Sequence, residues 1–70
     1  MKIELTKAET LVLHDLLYRI SGKDEYFEDI AEQYVLWSIE AQLEKELVEP
    51  SMDNYSDIIK KSREIVRKNY

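Results

Sequence analysis

The chain has no cysteine, one glycine, one proline and one histidine in 70 residues, and each scarcity removes a class of protein. Without cysteine there is no disulfide framework and no thiolate metal site. With a single histidine, His14, a histidine-rich metal centre is excluded, and so is the paired Glu-x-x-His set of a di-iron bundle. The lone glycine cannot build a glycine-rich phosphate loop. No apolar run reaches the roughly 20 residues of a membrane span, and the opening MKIELTKAE has neither the basic start nor the apolar core of a secretory signal. A cytoplasmic protein that makes no membrane contact is the expectation.

What is present is charge and apolar surface together: 36% of the residues are charged and 44% hydrophobic, which suits a compact helical domain and not a disordered tail. A chain this short buries only about 60% of its unfolded surface, so its stability is marginal, and with disulfides and metals excluded the remaining common support is another protein chain. The net charge of −5 is unevenly placed. Residues 1–23 carry four bases against three acids, residues 24–50 nine acids against Lys45 alone, and residues 51–70 five bases against three acids. An acidic bar lies between weakly basic ends.

Three helices are expected, over about residues 7–21, 25–48 and 52–68, in one all-α domain spanning 1–70. Thr6 and Glu9 have the spacing of a capping box, which starts the first helix at Lys7. Gly22 is placed to close it in the left-handed conformation, and Asp24 to cap the next. Pro50 stops the second helix, Ser51 or Asp53 caps the third, and Arg67 and Lys68 suit the negative end of its dipole. MKIEL alternates in period two without a partner strand and reads as an extended arm.

Helix 3 has one stripe to bury, formed by Met52, Tyr55, Ile58, Ile59, Ser62, Ile65 and Val66, with basic residues behind it. Helix 2 has two. At about 100° per residue, Phe27, Ile30, Tyr34 and Trp37 gather on one side, while Leu36, Ile39, Leu43 and Leu47 fall where Glu25, Glu28, Asp29 and Glu32 stood a few turns earlier. The central helix is therefore either long and sandwiched or broken near Ser38. Helix 1 likewise has a broad stripe of Val12, Leu13, Leu16, Leu17 and Ile20 and a second one of Leu11, His14 and Tyr18. The expectation is a core built on the first stripes, with Trp37 inside and His14 half-exposed beside Tyr18. The second stripes, Leu36, Ile39, Leu43 and Leu47 with Leu11, His14 and Tyr18, form the candidate protein interface, facing each other or another chain.

No residue pattern favours catalysis. Ser21, Ser38, Ser51, Ser56 and Ser62 lack an elbow, an oxyanion loop or an orienting acid, and His14 is the only base of its type. The row Glu25, Glu28, Asp29, Glu32 lacks the spacing and central glycine of a calcium loop and reads as a solvated face. Lys60, Lys61, Arg63, Arg67 and Lys68 are the best argument for nucleic acid, opposed by the acidic bar and a pI near 4.8. No cofactor and no small-molecule ligand is implied.

The stretch AEQYVLWSIEAQLEKELVEP, with LTKAETLVLHDLL before it and DNYSDII after it, resembles a group of small bacterial hypothetical proteins of unknown function. That resemblance implies a small bacterial protein and supplies no functional residues. The functional expectation is a non-catalytic helical protein working through contact with a protein partner or as a homodimer. A nucleic-acid-associated regulator using helix 3 is the alternative.

Overall fold

The structure, a computed structural model, describes residues 2–70, with the side chain of Asp24 outside the description. Among the described residues there are three α-helices and no strand: α1 (Lys7–Ile20), α2 (Ile30–Glu44) and α3 (Tyr55–Asn69), with single 3-10 turns at Asp24–Tyr26 and Glu49–Ser51. The protein is a small all-α domain.

Helix α1 starts on the capping box. The Glu9 amide donates to Thr6 Oγ1 at 3.2 Å, and the Thr6 amide to Glu9 Oε1 at 2.8 Å. Its end departs from expectation: Ser21 is the cap, in right-handed conformation, and Gly22 has no positive φ. The Lys23 amide reaches the Ile20 carbonyl at 3.0 Å, so a tightened last turn satisfies the free carbonyl without a left-handed residue.

Helix α2 begins at Ile30 and not near residue 25, because Asp29 is extended and its Oδ1 accepts from the Ala31 amide at 2.8 Å. It runs unbroken through Ser38 and ends at Glu44. Beyond that end, amides of Glu46 and Leu47 bond back to the Leu43 and Glu44 carbonyls at 3.0 and 3.3 Å, winding the chain tighter and carrying Leu47 into the core. Neither Ser51 nor Asp53 caps α3. Asn54 precedes it without a side-chain cap, and the Ser51 hydroxyl donates to the Val48 carbonyl instead.

Helix α1 is the centre of the packing, with α2 and α3 each laid against it. Leu11 from α1, Leu47 from the turn after α2 and Ile59 from α3 form the buried cluster, with Tyr55 and Ile58 packed against it. Asp15 ties α1 to α3: one of its oxygens accepts from Arg63 Nη2 and from Arg19 Nε, both at 3.0 Å, and the other from the Tyr55 hydroxyl at 3.3 Å. Nothing comparable secures α2. At its end His14 Nε2 lies opposite Glu44 Oε1 at 3.4 Å, and near its start Gln33 Nε2 donates to the Ser21 carbonyl at 3.0 Å. The radius of gyration is 12.9 Å, against about 11 Å for a closed domain of this length.

The core mixes the two stripes of α1: Leu17 of the broad stripe is buried, and so are Leu11 and His14 of the second, while Tyr18 of that second stripe is exposed. Leu16 is exposed and Val12, Leu13 and Ile20 are only half-buried. His14 is therefore not the half-exposed residue that its neighbour Tyr18 suggests. No residue of α2 is buried, so the expected aromatic core fails as well: Ile30, Tyr34 and Trp37 are 54%, 57% and 46% exposed. Met52 and Ile65, assigned to the α3 stripe, are exposed too, Met52 because the helix starts after it and Ile65 because it sits at the edge of the face that meets α1.

Replacing Leu11 with Ala should cost about 2 to 5 kcal/mol, because the cluster has no spare members to close the cavity. Trp37→Ala should cost clearly less, about 1 to 2 kcal/mol for a side chain already half in water. Chemical denaturation of the two variants beside the parent measures both, and equal losses would mean that α2 packs more deeply than described. Gly22→Ala meets nothing within 4 Å and needs no left-handed backbone. It should therefore raise stability by about 0.4 to 1 kcal/mol through the unfolded state, visible as a higher denaturation midpoint.

Candidate protein interface

Nine of the fifteen residues of α2 are apolar or aromatic, and they are spread around the helix instead of being gathered on one side as in α3. A helix laid against a single neighbour covers one strip of its surface. The strip of α2 turned to α1 carries Gln33, Leu36, Glu40 and Leu43, spaced three and four apart and all half-buried. Two of these four are polar. Glu40 Oε1 is buried without a hydrogen-bond partner, so this seam is poorly satisfied; Nδ1 of His14 on α1 is likewise buried and unpartnered. The more apolar flanks of the helix are left open on either side.

One flank forms a groove with α1. Two hollows, of about 420 and 370 Å³, follow one another along the seam. Ile20, Val35 and Leu36 line the first; Leu13, Gln42 and Leu43 line the second. Each member of the second set stands seven residues from its counterpart in the first, two helical turns along two antiparallel helices. Ile39 lines the second hollow, and Leu16, 42% exposed, lies on the same side of α1 between Leu13 and Ile20. Tyr26 and Phe27 close one end of the groove, and Ile3 and Leu5 of the amino-terminal arm the other.

The seven residues expected at an interface are thus divided. Leu36, Ile39 and Leu43 line the groove. Leu11 and Leu47 belong to the buried cluster, so they cannot form a free surface. His14 and Tyr18 face the opposite side of α1, in a hollow shared with Glu44, Pro50 and Tyr55. The groove contributions of Leu13, Ile20 and Val35 are not legible in the sequence, because the first two look like core by periodicity and Val35 belongs to neither stripe of α2. The other flank of α2 shows Ile30, Tyr34 and Trp37, the two rings lying 5.7 Å apart, tilted and open to solvent.

No protein family model, no characterised protein and no solved structure matches the chain. The site is therefore read from its own chemistry.

That chemistry is acidic and apolar. Glu32 lines the first hollow, and Glu4 and Glu46 line an adjoining one that shares Ile3, Leu5, Gln42 and Leu43 with the second. No basic side chain lines any of the three. The carboxylates before and within α2 are used locally: Asp29 caps the helix, and Glu32 Oε1 accepts from the Glu28 amide at 3.0 Å. Among the described residues, no three metal-ligating side chains converge, and no helix is long and apolar enough to cross a membrane. On α3, Arg63 is drawn to Asp15, while Lys60, Lys61, Arg67 and Lys68 are exposed.

Two carboxylates of the scaffold around the groove are held below the ordinary range. The Thr6 backbone bond, with the Tyr70 hydroxyl 3.0 Å away, lowers Glu9; the Lys7 ammonium, 2.9 Å away, lowers Glu49. A carboxylate whose folded pKa is depressed adds stability above its unfolded pKa, and that contribution disappears as pH falls through the folded value. Acidification below the ordinary carboxylate range should therefore weaken the fold. Thr6→Ala should cost about 1 kcal/mol at neutral pH and flatten part of this acid limb, because the backbone geometry that holds Glu9 charged is loosened. Thermal melts of parent and variant across the acid range measure it, and parallel curves would show the capping box to be uncoupled from the titration.

Proposed function

We propose that this chain is a non-catalytic binding protein whose working surface is the apolar groove between α1 and α2. One observation carries the reading. Among the described residues five apolar ones are buried, Ala8, Leu11, Leu17, Leu47 and Ile59, while fourteen large apolar or aromatic side chains are exposed. Apolar surface left in water is costly at about 25 cal/mol per Å², and contiguous patches of it mark interaction sites. Five of the exposed side chains belong to α2, which has none of its residues buried: Val35 and Ile39 stand on the groove flank, and Ile30, Tyr34 and Trp37 on the other. A helix so loosely held by its own chain is suited to being completed by another.

A second reading has one observation in its favour: the exposed cations Lys60, Lys61, Arg67 and Lys68 of α3 could follow a phosphate backbone. The same experiment addresses both. A photo-crosslinking residue is placed at Val35 and, separately, at Lys61, and each is activated in living cells. A discrete protein adduct from position 35, weak or missing from position 61, is the expected result. Nucleic-acid adducts from position 61, with none from position 35, would replace the protein-binding reading by the second one.

A further inference from the structure

We infer that the groove takes a basic amphipathic helix of another protein, an inference that rests on the reading of the α1/α2 groove as an interface. The shape comes first. Two antiparallel helices set Ile20 and Leu13 on one wall and Leu36 and Leu43 on the other, each pair two turns apart, with Val35 and Ile39 beside them. A third helix laid along that seam would touch both walls, placing its own residues at three- and four-residue spacing between those of α1 and α2. Backbone in extended form would leave its amides and carbonyls facing apolar walls without partners. A helix satisfies its own.

Charge then selects among helices. The charged residues lining the groove and the hollow that adjoins it are Glu4, Glu32 and Glu46. Residues 24–44 carry charge of one sign only: Asp24, Glu25, Glu28, Asp29, Glu32, Glu40 and Glu44 are present, and no lysine or arginine. An occupant with Lys or Arg along both edges of its apolar stripe meets opposite charge, and one with acids meets repulsion.

The same test disfavours a second copy as the occupant. To fill the groove, a copy would have to present a helix with a free apolar stripe and basic edges. Its α2 has the free stripe of Ile30, Tyr34 and Trp37, but that helix contains only acids. Its α3 has the basic edges, but the apolar stripe of Tyr55, Ile58 and Ile59 is already spent against α1. Neither helix combines the two properties.

The experiment uses the whole chain and a synthetic amphipathic helix of about 18 residues, roughly 27 Å long, with a leucine stripe edged by lysines. A second peptide carries glutamates at the lysine positions. Titration calorimetry should show the lysine peptide binding at least about tenfold more tightly, with the preference shrinking as salt shortens the range of the charges. Val35→Ser with Ile39→Ser, both on exposed positions, should weaken it by about tenfold or more, while Ile30→Ser with Trp37→Ser on the opposite flank should leave it unchanged. Glu32→Lys with Glu46→Lys should reverse the preference. Circular dichroism confirms that each variant keeps its helices.

Equal binding of both peptides, still lost on changing Val35 and Ile39, would overturn the basic partner and leave the interface standing. Binding of the lysine peptide that ignores Val35 and Ile39, or no binding of either peptide, would overturn the groove itself. Sedimentation of the parent as a dimer that the Val35→Ser, Ile39→Ser variant dissolves would assign the groove to a second copy and overturn the proposal.

Discussion

Everything in this fold hangs on the contact between α1 and α3. The Leu11 side chain meets Ile59 and Leu47 in the single buried cluster, and beside it Asp15 gathers Arg63, Arg19 and the Tyr55 hydroxyl onto one carboxylate. The apolar part supplies the energy, at about 1.5 to 3 kcal/mol per fully buried aliphatic side chain. The polar part sets direction, because a carboxylate with three donors holds the two helices at one rotation. Burial in that cluster also pushes the Tyr55 hydroxyl pKa up, with the nearby Asp15 charge adding to the effect. The neutral phenol is thus the form that suits the fold, and the stability it adds is lost as pH rises through its folded value.

Once α1 is fixed against α3, its remaining surface decides what α2 can do. The side of α1 bearing Leu11 and His14 is taken up by the cluster and by the approach of Leu47 and Glu44. Helix α2 then lies along Gln33, Leu36, Glu40 and Leu43, with two polar residues in the seam and apolar flanks outside. This is a weak arrangement for an isolated domain, and the proposed binding function rests on it. The free energy gained by covering Val35 and Ile39 would be available on binding, since it is not already committed within the chain.

The acidic bar fits the same picture. Glutamates and aspartates around α2 keep a surface rich in exposed apolar groups dispersed in water, and they would repel a second acidic α2 at close range. The basic residues of α3 stand elsewhere, with Arg63 held by Asp15 and the lysines pointing outward. The molecule therefore combines one apolar groove with an acidic border and, on a different helix, a basic outer face.

Local chemistry was legible in the sequence wherever a few neighbouring residues decide the outcome. The Thr6–Glu9 capping box, three helices, the single stripe on α3 around Ile59 and the all-α class all follow from short-range hydrogen bonding and the 3.6-residue period. The surplus of apolar surface on α1 and α2 follows as well, since counting stripes needs no tertiary information. Which stripe goes inside is another matter. Periodicity weighs Leu11–His14 against Leu13–Leu16–Leu17–Ile20, or Leu36–Leu43 against Ile30–Tyr34–Trp37, only by size and number, and by that measure Leu17 alone of the favoured α1 residues is buried and the exposed side of α2 is chosen. The rotation of α1 is fixed by α3 through Asp15–Arg63 and Leu11–Ile59, contacts between residues more than forty positions apart, and the winding of the chain after Glu44 then brings Leu47 in. Only tertiary packing could decide that Trp37 stays in water and that Leu13 and Ile20 become one wall of a groove.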